Sequence, residues 1–312
     1  MKNKYQRFVD TDTVASPRKS KTLLRFSDTT KSVSINFGDP DSPLTLLLEF
    51  ISKPILKMFR FKEFQEISYR FANDPRSEDF VFQKVLDSFD IKLSYNHEKL
   101  SQINRDGPLL IIANHPLALV DGFAISSVIM NCRSDIKILA ISGLRKIPHL
   151  KDYIIPIRLK NSKKAKEKNR KAIIAGMKWL NGGHTLIIFP AGDISLRKYL
   201  WQKDATDAKW AKGLGLLVRR SKANVLPVFF HGQTSMLFQF ARSIHKSLGQ
   251  FLFIRELLLT RNRTIRFVFG DIVNHKVLSK IGNSQDVVDY LRKETYSLKS
   301  VPFVADSEKG TK

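Results

Sequence analysis

Cysteine and long apolar runs are what this sequence most lacks. Its 312 residues include one cysteine, Cys132, so no internal disulfide can form and a reducing compartment is the default expectation. No apolar stretch approaches the roughly 18 residues that a spanning helix needs, so none is predicted. No Cys/His cluster has zinc-site spacing, which predicts that the chain binds no metal. Cys132 follows an apolar run, which favours a buried helix position over a nucleophile.

Acidic residues are scarce relative to basic ones. Lys and Arg number 53 and Asp and Glu number 29, which gives a formal net charge of +24. This excess predicts a negatively charged partner: a nucleic acid, an anionic membrane surface or an acidic carrier protein. The sequence contains no zinc finger, ribonucleoprotein motif or basic zipper, so no nucleic acid is expected. A basic protein that binds lipid or nucleic acid without catalysis is the alternative of another class.

The two ends of the chain differ in composition from its middle. Residues 1–36 are polar and basic and lack the apolar core of a signal peptide, so they are predicted to form a flexible arm. Residues 37–77 contain an apolar block interrupted by charges and Pro54. This pattern predicts amphipathic helices that either contact a membrane interface or pack on the protein's own core. Residues 301–312 are predicted to be a polar tail.

Between residues 78 and 300, apolar runs alternate with segments of helical periodicity. Leu109–Ala113 is a continuous apolar run after the turn pair Gly107-Pro108, which predicts a buried strand. Further strands are predicted at 136–141, 154–159, 185–189, 225–230 and 265–269, and helices at 78–90, 123–130, 163–180, 208–220 and 287–298. Continuous Ile/Leu/Val runs are typical of parallel sheets covered on both faces. We therefore expect one α/β domain with a largely parallel central sheet flanked by helices.

A histidine and an acid follow the first buried strand, where functional residues of such folds collect. The segment reads Asn-His-Pro-Leu-Ala-Leu-Val-Asp-Gly over residues 114–122. Asp121 is placed to cap a helix that begins after it. The loop is short enough to bring Asp121 onto the imidazole of His115, which would fix the tautomer and leave the other ring nitrogen to accept a proton. The alternative is a plain helix cap beside an ordinary loop histidine.

Two other strand ends carry polar or turn-forming residues. Phe189-Pro190-Ala191-Gly192 predicts a sharp turn whose main-chain amides can bind an anion or a developing oxyanion. The third strand end carries His231-Gly232. His231 is a rival base, but it has no acid nearby in the sequence, so a structural or substrate-positioning role is favoured.

Together these motifs resemble the lysophospholipid acyltransferase superfamily. Asn-His-Pro before Asp-Gly is followed by Phe-Pro-Ala-Gly and by a Val-Leu-Pro-Val strand that ends in His-Gly. Five residues separate His115 from Asp121, one more than is usual in the superfamily, and Ala191 stands where Glu is common. Both features are similar to the branch of lyso-ornithine-lipid acyltransferases and hemolysin-like proteins, as are Trp210–Gly213 and Ile254–Leu258. Ala118 and Gln233-Thr234 depart from that branch.

The resemblance implies a mechanism and a set of site residues. His115 would take the proton from an acceptor hydroxyl, Asp121 would orient it, and the hydroxyl would attack an acyl thioester without a covalent enzyme intermediate. The implied substrate contacts are Asn114, Arg158, Phe189, Pro190, Ala191, Gly192, His231 and Gly232. Arg158 matches a basic residue that helps to hold phosphate in the wider superfamily, although it could equally be a surface charge.

The resemblance also implies substrates and a location. The donor would be an acyl carrier protein or coenzyme A thioester, and no cofactor is implied. The acceptor would be a lyso-aminolipid, such as a lyso-ornithine or lyso-glycine lipid, with 1-acylglycerol-3-phosphate as the alternative. The enzyme would sit as a peripheral or monotopic protein on the cytoplasmic face of a bacterial inner membrane and contact anionic lipids.

Two further segments are unusual in composition. Residues 160–171 are densely basic, so they could hold anionic lipid headgroups, dock an acidic carrier protein or form a solvated helix face. Residues 235–253 interleave aromatic and basic side chains. They could form a second membrane contact, a wall of an acyl tunnel, or part of the core.

Overall fold

The computed structural model describes residues 61–302, apart from 77–79, 148, 159–161, 200 and 245, together with two short strands near the N-terminus. Those strands, Arg25–Phe26 and Val33–Ser34, pair antiparallel. The chain divides into two units, Met1–Leu56 and Lys57–Lys312. Nearly all of the predicted arm and tail, and the apolar block of the 37–77 segment, lie outside the described residues.

A seven-stranded sheet forms the centre of the second unit. Its strands are β1 (Lys92–Ser94), β2 (Leu109–Ala113), β3 (Ile136–Ile141), β4 (Ile154–Ile157), β5 (Thr185–Ile188), β6 (Asn224–Phe230) and β7 (Thr264–Phe269). They lie in the order β1-β7-β6-β2-β5-β3-β4. Only the pairing of β6 with β7 is antiparallel among the described pairs of this sheet. The predicted α/β fold with a largely parallel sheet is confirmed.

Nine α-helices surround this sheet within the described ranges. They are α1 (Phe61–Ala72), α2 (Val81–Ser88), α3 (Leu119–Met130), α4 (Lys163–Asn181), α5 (Gly213–Ser221), α6 (Met236–Ile244), α7 (Lys246–Leu258), α8 (His275–Lys280) and α9 (Ser284–Ser297). In this part of the chain, no helix combines the length and the apolar character needed to cross a bilayer.

Strand β2 lies at the middle of the sheet, and this position explains its apolar composition. All five of its residues are buried. Leu109, Ile111 and Ala113 join the apolar cluster formed with α1, α2 and α3. Leu110 and Ile112 join a second cluster formed with α4, α5, α8 and α9. Because successive side chains of a strand point to opposite faces, a strand covered on both faces needs an apolar residue at every position.

Several predicted boundaries were wrong. The helix expected from Phe123 begins at Leu119, so Asp121 lies inside the first turn of α3 and does not cap it. The helix expected from residue 208 begins at Gly213, because the side chains of Asp207 and Trp210 bond to each other and hold that segment in a loop. Cys132 is a half-buried turn residue after α3. Burial raises the pKa of its thiol, which keeps it protonated and unreactive.

Helices α5 and α9 approach each other so closely that only glycine fits between them. A Cβ added at Gly215 would overlap the main-chain oxygen of Ser284 and lie 2.8 Å from its carbonyl carbon. We expect Gly215→Ala to lower the free energy of unfolding by at least about 2 kcal/mol, because the two backbones must separate. Urea denaturation followed by circular dichroism measures this change.

Gly213→Ala is the matched control in the same helix. A Cβ at Gly213 meets nothing within 4 Å, so this substitution should leave stability unchanged or raise it by up to about 1 kcal/mol. Equal effects of the two substitutions would contradict the close approach of α5 and α9.

Candidate active site

His115 and Asp121 form a contact at the carboxyl end of β2. The Nδ1 atom of His115 lies 3.0 Å from Oδ2 of Asp121, and the main-chain N–H of Leu117 donates to the same oxygen at 2.9 Å. Asp121 is fully buried, whereas 21% of the His115 side chain is exposed. The loop between them therefore folds back on a single carboxylate oxygen. This arrangement matches the one predicted from the length of the loop.

The conformation of Ala118 makes this short loop possible. Ala118 precedes α3 with φ 60° and ψ −125°, a region that favours glycine. It is the position at which glycine is usual in the branch that the sequence resembles. The backbone reversal at Ala118 starts α3 earlier than predicted and turns Asp121 back towards His115. A non-glycine residue in this region bears a conformational cost of about 1–3 kcal/mol.

The electrostatics of the pair follow from burial and hydrogen bonding. Burial raises the pKa of Asp121, and the contacts with His115 and Leu117 act in the opposite direction. With Asp121 ionised, Nδ1 of His115 carries the proton and donates it to the carboxylate. In this tautomer of the neutral ring the Nε2 atom bears the lone pair, and it makes no hydrogen bond to any described residue. The imidazole can therefore accept a proton from a bound molecule.

The turn after β5 packs against the imidazole. The ring of Phe189 stacks on that of His115, with centroids 4.1 Å apart and an angle of 24° between the planes. The N–H of Ser195 donates to the carbonyl of His115 at 2.9 Å. The N–H of Gly192 closes the turn by donating to Phe189 at 3.0 Å, so this amide is occupied by a hydrogen bond within the protein. Anion binding by the turn stays a prediction that would rest on its other amides.

An apolar cavity opens beside His115. It measures about 90 Å³, and His115, Phe189 and Gly192 contribute to its wall. The rest of the wall is mainly apolar and includes Phe82, Phe123, Ile138, Ile141, Leu144 and Ile154. The imidazole of His115 thus borders a mainly apolar space, which suits a hydrocarbon chain.

Asp207 is a site residue that the sequence reasoning missed. Its carboxylate accepts hydrogen bonds from the main-chain N–H of His115 at 3.2 Å, from the hydroxyl of Ser195 and from the indole of Trp210 at 2.7 Å. Its own N–H donates to the hydroxyl of Tyr296 on α9 at 2.8 Å. One buried carboxylate thus fixes the His115 loop to the turn after β5. The feature of the sequence that could have indicated it is an aspartate three positions before a tryptophan.

The other predicted contacts differ in their surroundings. The side-chain amide of Asn114 is buried and bonds to both main-chain groups of Phe230, at 2.7 and 2.9 Å, which ties β2 to β6. Burial, together with Lys299 and Arg266, lowers the pKa of His231. No carboxylate contacts His231 within the described residues, so it lacks the orienting acid that His115 has. The backbone of Gly232, with φ 113°, passes close to Leu117 of the His115 loop.

Arg158 does not line the cavity at His115. It is exposed just after β4, and its main-chain groups bond to the side chain of Asn169 at 2.8 and 2.9 Å. Its side chain borders a separate cleft with Lys168 and Lys171. The structure therefore brings His115, Asp121 and the 189–192 turn together but does not bring Arg158 to them.

Comparison with known proteins agrees with this geometry. A family model described as an acyltransferase matches residues 64–303. The chain belongs to this acyltransferase family. The predicted superfamily and the prediction that the chain is an acyltransferase enzyme are thereby confirmed.

Individual relatives of this acyltransferase share a quarter or less of its residues over the aligned regions. It is 25% identical over 234 residues to a lyso-glycine lipid O-acyltransferase of Bacteroides thetaiotaomicron, covering 73% of this chain and 82% of the relative. It is 24% identical over 206 residues to a protein of the same name from Phocaeicola vulgatus, covering 64% and 71%. The crystal structure of the 1-acyl-sn-glycerophosphate acyltransferase PlsC from Thermotoga maritima aligns with a TM-score of 0.41 and 17% identity, covering 83% and 96%.

The role of Asp207 in holding the site can be tested by stability. Asp207→Ala removes the acceptor of three donors, so we expect the free energy of unfolding to fall by about 2–4 kcal/mol. Chemical denaturation monitored by tryptophan fluorescence measures the loss. Asp204→Ala is the control, because Asp204 is half exposed and its ion pair among the described residues is with the surface residue Lys299, at 2.6 Å. It should cost less than about 1 kcal/mol. A loss from Asp207→Ala no larger than this would contradict the assignment.

Proposed function

We propose that this acyltransferase moves a fatty acyl chain from an acyl thioester to the hydroxyl of a lyso-lipid, with His115 as the general base. The observation that carries the proposal is the contact between His115 and the buried Asp121 beside an apolar cavity. It supplies a base whose protonated form is stabilised and a space for a hydrocarbon chain. The names of the relatives from Bacteroides and Phocaeicola support the same reaction class.

The reaction follows from the orientation of the imidazole. The acceptor hydroxyl donates to Nε2 of His115, and its oxygen attacks the carbonyl carbon of the thioester as the proton passes to the ring. Asp121 stabilises the resulting imidazolium through Nδ1. The tetrahedral intermediate then expels the thiolate, which takes the proton back from Nε2. An ester and a free thiol result, and the enzyme returns to its starting state. Base catalysis of this kind contributes roughly 10²- to 10⁴-fold.

We further propose a lyso-aminolipid as the acceptor, with lyso-glycine lipid the first candidate and lyso-ornithine lipid the second. Two features of the sequence, the longer His115 loop and Ala191 in place of Glu, support this choice. The position of Arg158 in the other cleft supports it too, because the described residues that line the cavity at His115 include no Lys or Arg to hold a phosphate. The alternative acceptor is 1-acylglycerol-3-phosphate.

A membrane contact accompanies this proposal. Helix α6 exposes Met236, Phe240 and Ile244 to between 50% and 60%, while its Arg242 is buried against Asp193 of the cavity wall. An exposed apolar helix face beside the cavity suits peripheral attachment to a bilayer, from which a lipid acceptor could enter. Phe253 of α7 borders the cavity. These positions support a membrane contact and a place in the cavity wall for the 235–253 segment, whereas its Phe238 and Leu252 are buried in an apolar cluster, as the third alternative predicted. We propose that the attachment is to anionic lipid on the cytoplasmic face of a bacterial inner membrane.

The base assignment is tested by substitution. We expect His115→Ala to lower kcat by about 10³-fold or more, because the substitution removes the proposed proton acceptor. Asp121→Asn should lower it by at least about 10²-fold, because an amide stabilises the imidazolium poorly. Single-turnover acyl transfer measures both losses, and circular dichroism verifies that each variant is folded.

His275→Ala is the control for these variants, since His275 lies on α8, away from the cavity. It should keep wild-type activity. Activity that survived in folded His115→Ala would refute His115 as the base and would favour His231 in that role.

The acceptor class is tested by offering the wild-type enzyme lyso-glycine lipid, lyso-ornithine lipid and 1-acylglycerol-3-phosphate with one thioester donor. We expect the highest kcat/KM for an aminolipid. A clear preference for 1-acylglycerol-3-phosphate would overturn the acceptor but keep the mechanism. Turnover of none of them would favour a lipid-binding protein without catalysis.

A further inference from the structure

A second cleft lies on the other face of the sheet from the cavity at His115. It has a volume of about 500 Å³ and is formed by β4, α4 and the segment after β3. Five cationic side chains line it, and the described residues of its wall include no acid. The five are Arg145, Lys151, Arg158, Lys168 and Lys171. The neighbours Ile154 and Ile155 of β4 border the cavity and the cleft respectively, so one edge strand separates the two spaces.

These cations have few counter-charges of their own. Within the described part of the chain, Lys171 alone among the five forms an ion pair, with Glu167 at 3.2 Å on the exposed surface. The first turn of α4 adds further lysines and contains no acid. Cations at the amino end of a helix oppose its dipole and cost stability. A cluster of cations with few neighbouring acids concentrates positive potential and attracts a large anion.

The shape and surroundings of this cluster favour a protein over a bilayer. Lysines recur along α4 from Lys163 to Lys171, which extends over about 12 Å at 1.5 Å per residue. This is more than one phosphate group can cover. Ile174 is the one exposed large apolar side chain of α4 among the described residues, whereas α6 carries several. A membrane-binding helix combines both kinds of side chain, but an acidic protein surface needs only the charge.

We propose that this cleft docks the acidic surface of an acyl carrier protein that delivers the thioester. The inference rests on the proposed function and names its donor. Because β4 is the edge strand of the sheet, the prosthetic arm of a docked carrier can pass around it towards His115. Lys168 and Lys171 on α4 make the docking contact together with Arg145 and Lys151. The apolar face of α6 stays available for the membrane.

The test reverses charge on α4. For Lys168→Glu/Lys171→Glu in the full-length protein, we expect the Kd for a fluorescently labelled bacterial palmitoyl carrier protein to rise tenfold or more in anisotropy titrations. The ratio of KM for the palmitoyl carrier protein to KM for palmitoyl-pantetheine should rise by a similar factor. Wild-type binding should weaken as salt is raised, because exposed charges are screened. Lys276→Glu/Lys280→Glu on α8 changes the same charge at exposed positions and should alter neither quantity.

Each other outcome is decisive. An unchanged Kd and KM ratio would overturn the docking proposal. Equal increases in KM for the carrier and for palmitoyl-coenzyme A would reassign the cleft to the phosphate that both donors share. Loss of binding to anionic vesicles with intact carrier binding would reassign it to the membrane. If wild type transferred acyl groups from no donor, the proposed function would fail, while the anisotropy titration would still decide whether the carrier docks.

Discussion

The buried carboxylate of Asp121 holds together the loop on which the proposed chemistry depends. A single oxygen accepts from the ring of His115 and from the main chain of Leu117, and it does so inside the first turn of α3. The amino end of a helix favours negative charge, which helps to offset the cost of burying the carboxylate. The loop, the start of the helix and the imidazole therefore form one unit. The strained backbone of Ala118 is tolerated because these contacts over-determine its position.

A second buried acid connects this unit to the rest of the enzyme. Asp207 fixes the main chain of His115 and the turn after β5, and Phe189 of that turn stacks on the imidazole. The ring is thus held at one edge by Asp121 of α3 and on one face by Phe189, which follows β5. Such rigidity suits a base that must meet a hydroxyl and a thioester in one geometry. The two sheet faces also differ in character, with an apolar cavity on one and a basic cleft on the other.

Much of this fold and the central pair of the site could be predicted from the sequence. The apolar runs identified every strand of four or more residues, because at least half of the residues in each are buried. The short loop between His115 and Asp121 allowed their contact to be predicted. Strand β1 was not predicted, because its three residues are at most half-buried and do not form an apolar run. The start of α3 was misplaced because the positive φ of Ala118 has no signature in the residue type. Asp207 is 92 residues from His115, and no local pattern reports a contact of that separation.

The hydrogen bonds between α9 and Asp207 show how much of the chain supports the active site. All the residues that mark the family in the sequence lie before the end of β7, so a fragment that stopped there would look complete. Yet the hydroxyl of Tyr296 and the guanidinium of Arg292 bond to the main chain of Asp207. Burial raises the pKa of Tyr296 to about 12, so its phenol stays neutral in that contact. A fragment without α9 would lose both of these contacts, so the structural support of the His115 loop extends to the last helix of the domain.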